Sequence, residues 1–318
     1  MNDKNKKLLG LLNNRSGYNP WFNGFELIGE NWRDGDNFSV ELSIIIPAFN
    51  KAEIIEQQLR CLLSCLTVTA EIILIDDGSL DDTARLALNF LSQYDFPFTI
   101  LRTEFPIYET ACDCVGLEIS SGYYICELQS DIFLNDIGFD RKLIDSLEVN
   151  GFCSVSGRCG HSWSYMFSLW QKIILFLLGD LKFKDILSSG YGVGRLGEKV
   201  FDNTVNLDCS SYITDTNNRG PWMTSKKVIN VIGFLNEKEF FLGNDDHYFN
   251  WRGFKKGYKA GYVNVNFNSY FNDGSTRQKR EGVNLDIYNW LTNNKKGSEK
   301  LFSNICMHRL NKLIRFWS

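Results

Sequence analysis

Two apolar runs that each stop at polar residues constrain this chain most. Glu71-Ile72-Ile73-Leu74-Ile75 passes straight into Asp76-Asp77-Gly78-Ser79, and Leu42-Ser43-Ile44-Ile45-Ile46 ends at Pro47-Ala48-Phe49-Asn50. A mostly β-branched run without polar alternation is a strand covered on both faces, the habit of parallel sheets. Between the two, Ile54, Ile55, Leu59, Leu62, Leu63 and Leu66 recur at helical spacing. The rhythm then continues. A helical stretch runs from Asp81 to Ser92, a strand covers Phe98-Thr99-Ile100-Leu101, and a helix over 109–120 stops at Gly122. A fourth strand, Tyr123 to Leu128, runs into Gln129-Ser130-Asp131. This order predicts an α/β fold with a mostly parallel central sheet and helices on both faces. Carboxylates at strand ends then lie on the carboxyl edge, where ligands bind in open sheets.

Four blocks stand in order: Pro47-Ala48-Phe49-Asn50, Ile75-Asp76-Asp77-Gly78-Ser79, Gly122 through Asp131, and Asp245-Asp246 followed by Arg252 and Gly257. In these the chain resembles the family 2 glycosyltransferases, which carry the A-type nucleotide-sugar fold, over roughly residues 40–265. The resemblance implies an inverting enzyme. It would move a sugar from a nucleotide-diphosphate donor, a UDP-sugar, to a hydroxyl of a glycan or lipid-linked acceptor, as in surface polysaccharide synthesis. The alternative is a catalytically degenerate relative that binds nucleotide-sugar or glycan without turnover. The plan that follows is an N-terminal extension over 1–40, a transferase domain over 41–270, and a basic loop with an amphipathic helix over 271–318. Within the domain, 41–135 is the nucleotide-sugar half and 136–270 the acceptor half.

Site residues follow from what each part of the donor needs. A base needs a flat apolar face, which Phe49 offers, and an acceptor for the uracil imide N–H, which Asp77 offers. The resemblance adds backbone contacts at Pro47 and Ala48. It also makes Asp131, with Ser130 beside it, the carboxylate expected to hold Mn2+ or Mg2+. The family's usual Asp-x-Asp is here Gln129-Ser130-Asp131, so the first carboxylate has become an amide, suited to a ribose hydroxyl. Asp113-Cys114 stands where the family often has Arg-Asn. A later cluster, Arg277, Lys279 and Arg280, following the polar loop 272–276, offers replacement charge for the diphosphate. Asp246 aligns with the catalytic base, beside Asp245, and an apolar pocket would raise its pKa toward neutrality. Trp222, in Arg219-Gly220-Pro221-Trp222-Met223, offers a face for an acceptor sugar.

Other features narrow the class. A net charge of −4 argues against nucleic acid as a partner. Nine cysteines without regular spacing form neither a zinc pattern nor a disulfide framework, which points to a reducing, cytoplasmic compartment. Three scattered histidines make no metal site, and His161 and His247 are read as hydrogen-bonding residues only. The N-terminus, Met-Asn-Asp-Lys, has no apolar signal core. Trp163 to Leu178 is apolar but too short to span a bilayer comfortably. Gly192-Val193-Gly194-Arg195-Leu196-Gly197 matches a dinucleotide pattern without the strand that must precede it. From Lys295 to Trp317, six basic residues face one acid, Glu299, while Leu301, Phe302, Ile305, Cys306 and Leu310 recur at helical spacing. Such a helix suits peripheral contact with the inner face of an anionic membrane, or packing on the domain or on a second copy in a homo-oligomer.

Overall fold

The apolar runs become the centre of one sheet. The computed structural model describes residues 3–13, 17–32, 39–159, 211–269, 284–301, 303–305 and 307–308, with isolated positions at 173 and 177. In chain order the elements are α1 (Asp3–Asn13), β1 (Phe25–Glu30), β2 (Leu42–Ala48), α2 (Ile55–Cys65), β3 (Ala70–Asp76), α3 (Thr83–Leu91) and β4 (Phe98–Thr103). Then come α4 (Glu109–Ile119), β5 (Tyr124–Glu127), β6 (Ile132–Leu134), α5 (Phe139–Asn150), β7 (Ser154–Cys159), β8 (Ser211–Thr214) and β9 (Asn217–Ser225). The last are α6 (Lys226–Ile232), α7 (Asp245–Lys255), β10 (Ala260–Val263), β11 (Phe267–Ser269) and α8 (Leu285–Asn294).

The nine-stranded sheet has the order β1-β4-β3-β2-β5-β9-β7-β10-β8, and β11 pairs with β6 in a small second sheet. Strands β4, β3, β2 and β5 are mutually parallel. Strand β9 runs against both β5 and β7, and β10 runs with β7, so six strands share one direction. The sheet is mostly parallel, as the uninterrupted apolar runs required. Both faces are covered. Ile44, Ile46, Ile72 and Leu74 pack under α2, α3 and α5, while Ile45, Ile73 and Ile75 pack under α4, α1 and the α6–α7 layer.

The path of the chain creates the crevice. From β2 it steps outward through β3 and β4, then crosses back to lay β5 on the other side of β2. The carboxyl ends of β2 and β5 therefore flank the switch point, where open α/β sheets bind ligands. Register brings them level: Leu42 sits opposite Tyr124 and Ile45 opposite Glu127, and the Leu128 amide donates to the Ile45 carbonyl at 2.9 Å. Gly122 makes this pairing possible, since a Cβ there would lie 2.5 Å from the Ser43 nitrogen.

The flanking segments are integral to the fold. Strand β1 pairs antiparallel with β4 and forms the sheet edge. Helix α1 lies on α4, and its Lys4 reaches Glu71 at the start of β3, a carboxylate that also accepts from Ser43 Oγ at 2.5 Å and the Ser121 amide at 2.6 Å. Burial brings Lys4 down to about 8 against the pull of Glu71. At the other end Ile287 and Leu291 of α8 are buried against Tyr108. Leu301 and Ile305 are fully buried, and the His308 ring stands edge-on to Trp251 of α7 at 5.3 Å. The described part of the basic amphipathic stretch thus spends its apolar side on the domain. Among the described residues no helix is long and apolar enough to cross a membrane. Arg277, Lys279, Arg280 and the 272–276 loop, His161, the Gly192–Gly197 pattern, 309–318 and nearly all of Trp163–Leu178 lie outside the described residues.

Candidate active site

The donor side starts where β2 and β3 end. Ala48 and Phe49 are buried, Phe49 at 7% exposure, and Pro47 is half-buried. Asn50 adopts φ +52 and ties the two loops together, its amide donating to Ser79 Oγ at 2.9 Å and its Oδ1 accepting from the Leu80 amide at 2.8 Å. Asp76 Oδ1 accepts from the Ser79 amide at 3.2 Å, and Oδ2 lies 3.5 Å from Arg102 Nε. Asp77 has a structural task. Its Oδ1 accepts from the Ile107 amide at 2.6 Å and its Oδ2 from the Tyr108 amide at 3.0 Å. Tyr108 sits at φ +69, ψ 164, a region open almost only to glycine, and such strain persists only where surroundings over-determine it. The Asp77 clamp and the packing of the Tyr108 ring against Phe241, 5.3 Å away, supply that. Burial pushes the Asp77 carboxyl up to about 7 in spite of the two N–H donors.

Gln129, Ser130 and Asp131 follow β5 into the crevice. Ser130 and Asp131 are buried. Burial raises Asp131, while the positive charges of Lys51 and Arg158 oppose the rise. The Gln129 amide donates to Glu109 Oε1 at 2.9 Å, so it faces α4. Among the described residues no group of three His, Cys, Asp or Glu side chains is arranged to hold a metal ion. The donor set is one buried carboxylate, Asp131. Mg2+ or Mn2+ fits it only in the mode where one carboxylate is completed by the oxygens of a diphosphate.

The centre of the site is Arg219 on β9. Its guanidinium pairs with Asp113 of α4 and Asp245 of α7, and lies 3.4 Å from Glu109 of α4 and 3.8 Å from Glu127 of β5. Asp113, Glu127 and Asp245 are almost wholly buried. Four carboxylates around one cation cannot all ionise cheaply. Burial pushes Asp113 and Glu127 well above the usual carboxylate range, their acidic neighbours add to this, and Arg219 opposes it. The missing arginine at position 113 therefore has a counterpart in space. Arg219 supplies a guanidinium from another strand and pairs with the aspartate that stands in the old place. Sequence reasoning quoted Arg219 only as part of the stretch carrying Trp222, and passed over Glu109 and Glu127. The available signal was charge inside apolar strands, in Tyr124-Ile125-Cys126-Glu127 and in β9, since buried charges need partners.

Helix α7 carries the candidate base at its N-terminus. Asn244 turns into it at φ +62, and Asp245 Oδ2 accepts from Thr110 Oγ1 at 2.7 Å. Asp246 is 6% exposed; its Oδ1 accepts from the His247 amide at 2.7 Å and lies 2.8 Å from His247 Nδ1. The pKa expected from an apolar pocket is corrected here. Burial does push Asp246 up, but His247 and then Arg219 outweigh it and hold the carboxyl at about 2. Further along the block, Arg252 donates to the Ile232 carbonyl at 2.9 Å and to that of Phe234, closing off the end of α6.

Trp222 is also corrected. It is 1% exposed, stands edge-on to Phe249 at 5.1 Å, and donates its indole N–H to Asn217 Oδ1 at 2.9 Å. It is a core residue of the β9–α7 layer, with no face open to a sugar. The structure brings Gln129 and Asp245 into one network through Glu109 and Arg219, with Asp246 joined to Asp245 Oδ1 by its backbone amide and Asp131 two residues beyond Gln129.

The description Glycosyl transferase family 2 matches residues 43–204 of this chain. Hyaluronan synthase of Pasteurella multocida is 24% identical over 225 residues, covering 69% of this chain and 23% of that protein. Chondroitin synthase of Escherichia coli is 22% identical over 229 residues, 68% of this chain and 32% of that protein. The chain thus spans a quarter to a third of the length of these relatives. A crystal structure of GalNAc-T7 with UDP, GalNAc and Mn2+ superimposes with a TM-score of 0.53 at 12% identity, over 74% of this chain and 44% of that one, a likeness of fold.

Proposed function

Because the chain belongs to glycosyl transferase family 2, we propose that its glycosyltransferase domain takes a UDP-sugar as donor and inverts the anomeric centre, extending a surface polysaccharide. The observation that carries this reading is a connected side-chain network. From Gln129 through Glu109 and Arg219 to Asp245, side-chain contacts run without a break from the end of β5 to the head of α7. A donor diphosphate beside Asp131 and an acceptor hydroxyl beside Asp246 would then lie at the two ends of this network, on the switch-point side of the sheet.

In this reading Phe49 and the loops tied by Asn50 receive the base, with Asp77 at the pocket's rear. A divalent cation held by Asp131 would neutralise charge on the leaving diphosphate. Lys51 and Arg158, the cations acting on Asp131, add to the same field. Asp246 Oδ2 takes the acceptor's proton as the acceptor oxygen bonds to the anomeric carbon, and the sugar–phosphate C–O bond breaks with its electron pair leaving on the diphosphate. One displacement inverts the configuration.

The test is turnover with a panel of nucleotide-sugars, first in the native protein and then in Asp246→Asn. The variant should keep donor affinity and lose about a hundredfold or more in turnover. A folded variant with near-native turnover removes Asp246 from the role. The alternative, a binding relative without turnover, is favoured by one observation, that Gln129 supplies an amide already engaged by Glu109. Absence of both transfer and donor hydrolysis with Mn2+, despite UDP-sugar binding, would establish that alternative.

A further inference from the structure

Asp246 and His247 are neighbours in sequence, both buried, and joined twice. The His247 amide and its Nδ1 both reach the same oxygen, Oδ1, at 2.7 and 2.8 Å. The amide contact is a hydrogen bond, and the Nδ1 contact is a close ion-pair approach of the imidazole to the carboxylate. Among the described residues Oδ2 accepts no hydrogen bond. Holding one carboxylate oxygen between the backbone N–H and the imidazole restricts the plane of the group and leaves a single oxygen for chemistry. A side chain that was merely filling space would not need this geometry.

We propose that His247 is a positioning residue for Asp246: its imidazole occupies Oδ1, fixes the carboxylate plane, and reserves Oδ2 for the acceptor's proton. This rests on the transferase reading given above. Its second consequence concerns charge. Burial raises Asp246, and His247 is the largest influence opposing that rise, ahead of Arg219. Among the described residues the charged and titratable groups around Asp246 are His247 and Asp245 on α7 and Arg219 from β9. Behind Asp245 stand Glu109 and Asp113 from α4 and Glu127 from β5. Removing the imidazole leaves only Arg219 and the backbone N–H of residue 247 against burial. The base would then protonate at a higher pH, and its plane would be free to turn.

Two readouts test this. The first is the pH dependence of kcat/KM in the native protein, His247→Gln and His247→Phe. In the native protein Asp246 stays ionised throughout the assay range. In His247→Phe an acid limb should enter the range, moved up by about one pH unit or more, with His247→Gln between, because glutamine donates without charge. A fall in kcat at every pH with no displaced limb would mean a structural role only and overturns the proposal. The second readout needs no catalysis. Urea unfolding compares His247→Phe in the native and Asp246→Asn backgrounds. A carboxylate whose folded pKa is depressed stabilises above its unfolded pKa and loses that contribution as pH falls through the folded one. The His247→Phe penalty should therefore be present at pH 7, shrink on acidification below pH 4, and largely vanish in Asp246→Asn. Equal penalties in both backgrounds would refute the coupling. If no donor supports transfer, the function reading fails while the second readout still decides the pair.

Discussion

Replacing Arg219 by methionine removes the one guanidinium that, among the described residues, faces Glu109, Asp113, Glu127 and Asp245. Methionine keeps much of the volume, so the effect is electrical. Breaking a buried ion pair typically costs about 3–5 kcal/mol because the surviving charge stays buried. Here the carboxylates have another way out, which is to bind protons. Starting from an ordinary aspartate near 4, protonating one carboxylate at pH 7 costs about 4 kcal/mol, and at pH 5 about 1.5 kcal/mol. If one further carboxylate must be neutralised, the variant loses about 4 kcal/mol at pH 7, a large share of the roughly 5–15 kcal/mol that holds a typical protein folded. The sign is fixed by linkage. Asp113 and Glu127 are raised in the folded state, so their stability is complete below the unfolded pKa and is lost as pH rises toward the folded one. Arg219→Met deepens that loss, so the gap to the native protein should narrow by about 2–3 kcal/mol between pH 7 and pH 5. Urea unfolding followed by tryptophan fluorescence measures it, with the variant prepared at pH 5. Adding Asp113→Asn should recover part of the deficit at pH 7. A penalty that is the same at both pH values, with no recovery from Asp113→Asn, would refute the electrostatic account.

Asp131→Ala should abolish stimulation by Mn2+ or Mg2+ and weaken UDP-sugar binding in calorimetry; full native activity in excess chelator would show that Asp131 is not a metal ligand. Asp140 is fully buried at the start of α5, where it accepts from the Thr67 amide at 2.6 Å, Thr67 Oγ1 at 2.7 Å and the Val68 amide at 2.9 Å. Asp140→Ala should cost about 2–4 kcal/mol by leaving those donors unpaired, read as a lower urea midpoint without change in donor affinity.

The central strands were legible because parallel strands covered on both faces leave no alternation to misread. The edge was not. Strand β1 carries an irregularity between Leu27 and Gly29, which breaks its period, so the first forty residues read as an aperiodic extension. The Arg219 cluster was hidden for a different reason. Its partners lie 106 and 26 residues away, at Asp113 and Asp245, and no local pattern reports contacts at such separations. Trp222 was misread because a tryptophan face is equally useful in a core and against a sugar, and only burial separates the uses. Asp246 misled in the opposite way. The group that lowers its pKa is the next residue, visible in the sequence but assigned only a hydrogen bond.

The Lys4–Glu71 contact has a consequence for where this molecule can be divided. Similarity to the family begins at residue 43, beyond both α1 and β1. A fragment cut there would seal Glu71 in the interior without its ammonium partner. It would also expose the backbone of β4, because β1 is that strand's outer neighbour. Bare strand edges recruit other chains. Shared ancestry marks where the chemistry begins, but charge neutrality and hydrogen-bond closure mark where the folding unit begins, and in this chain the second boundary lies upstream of the first.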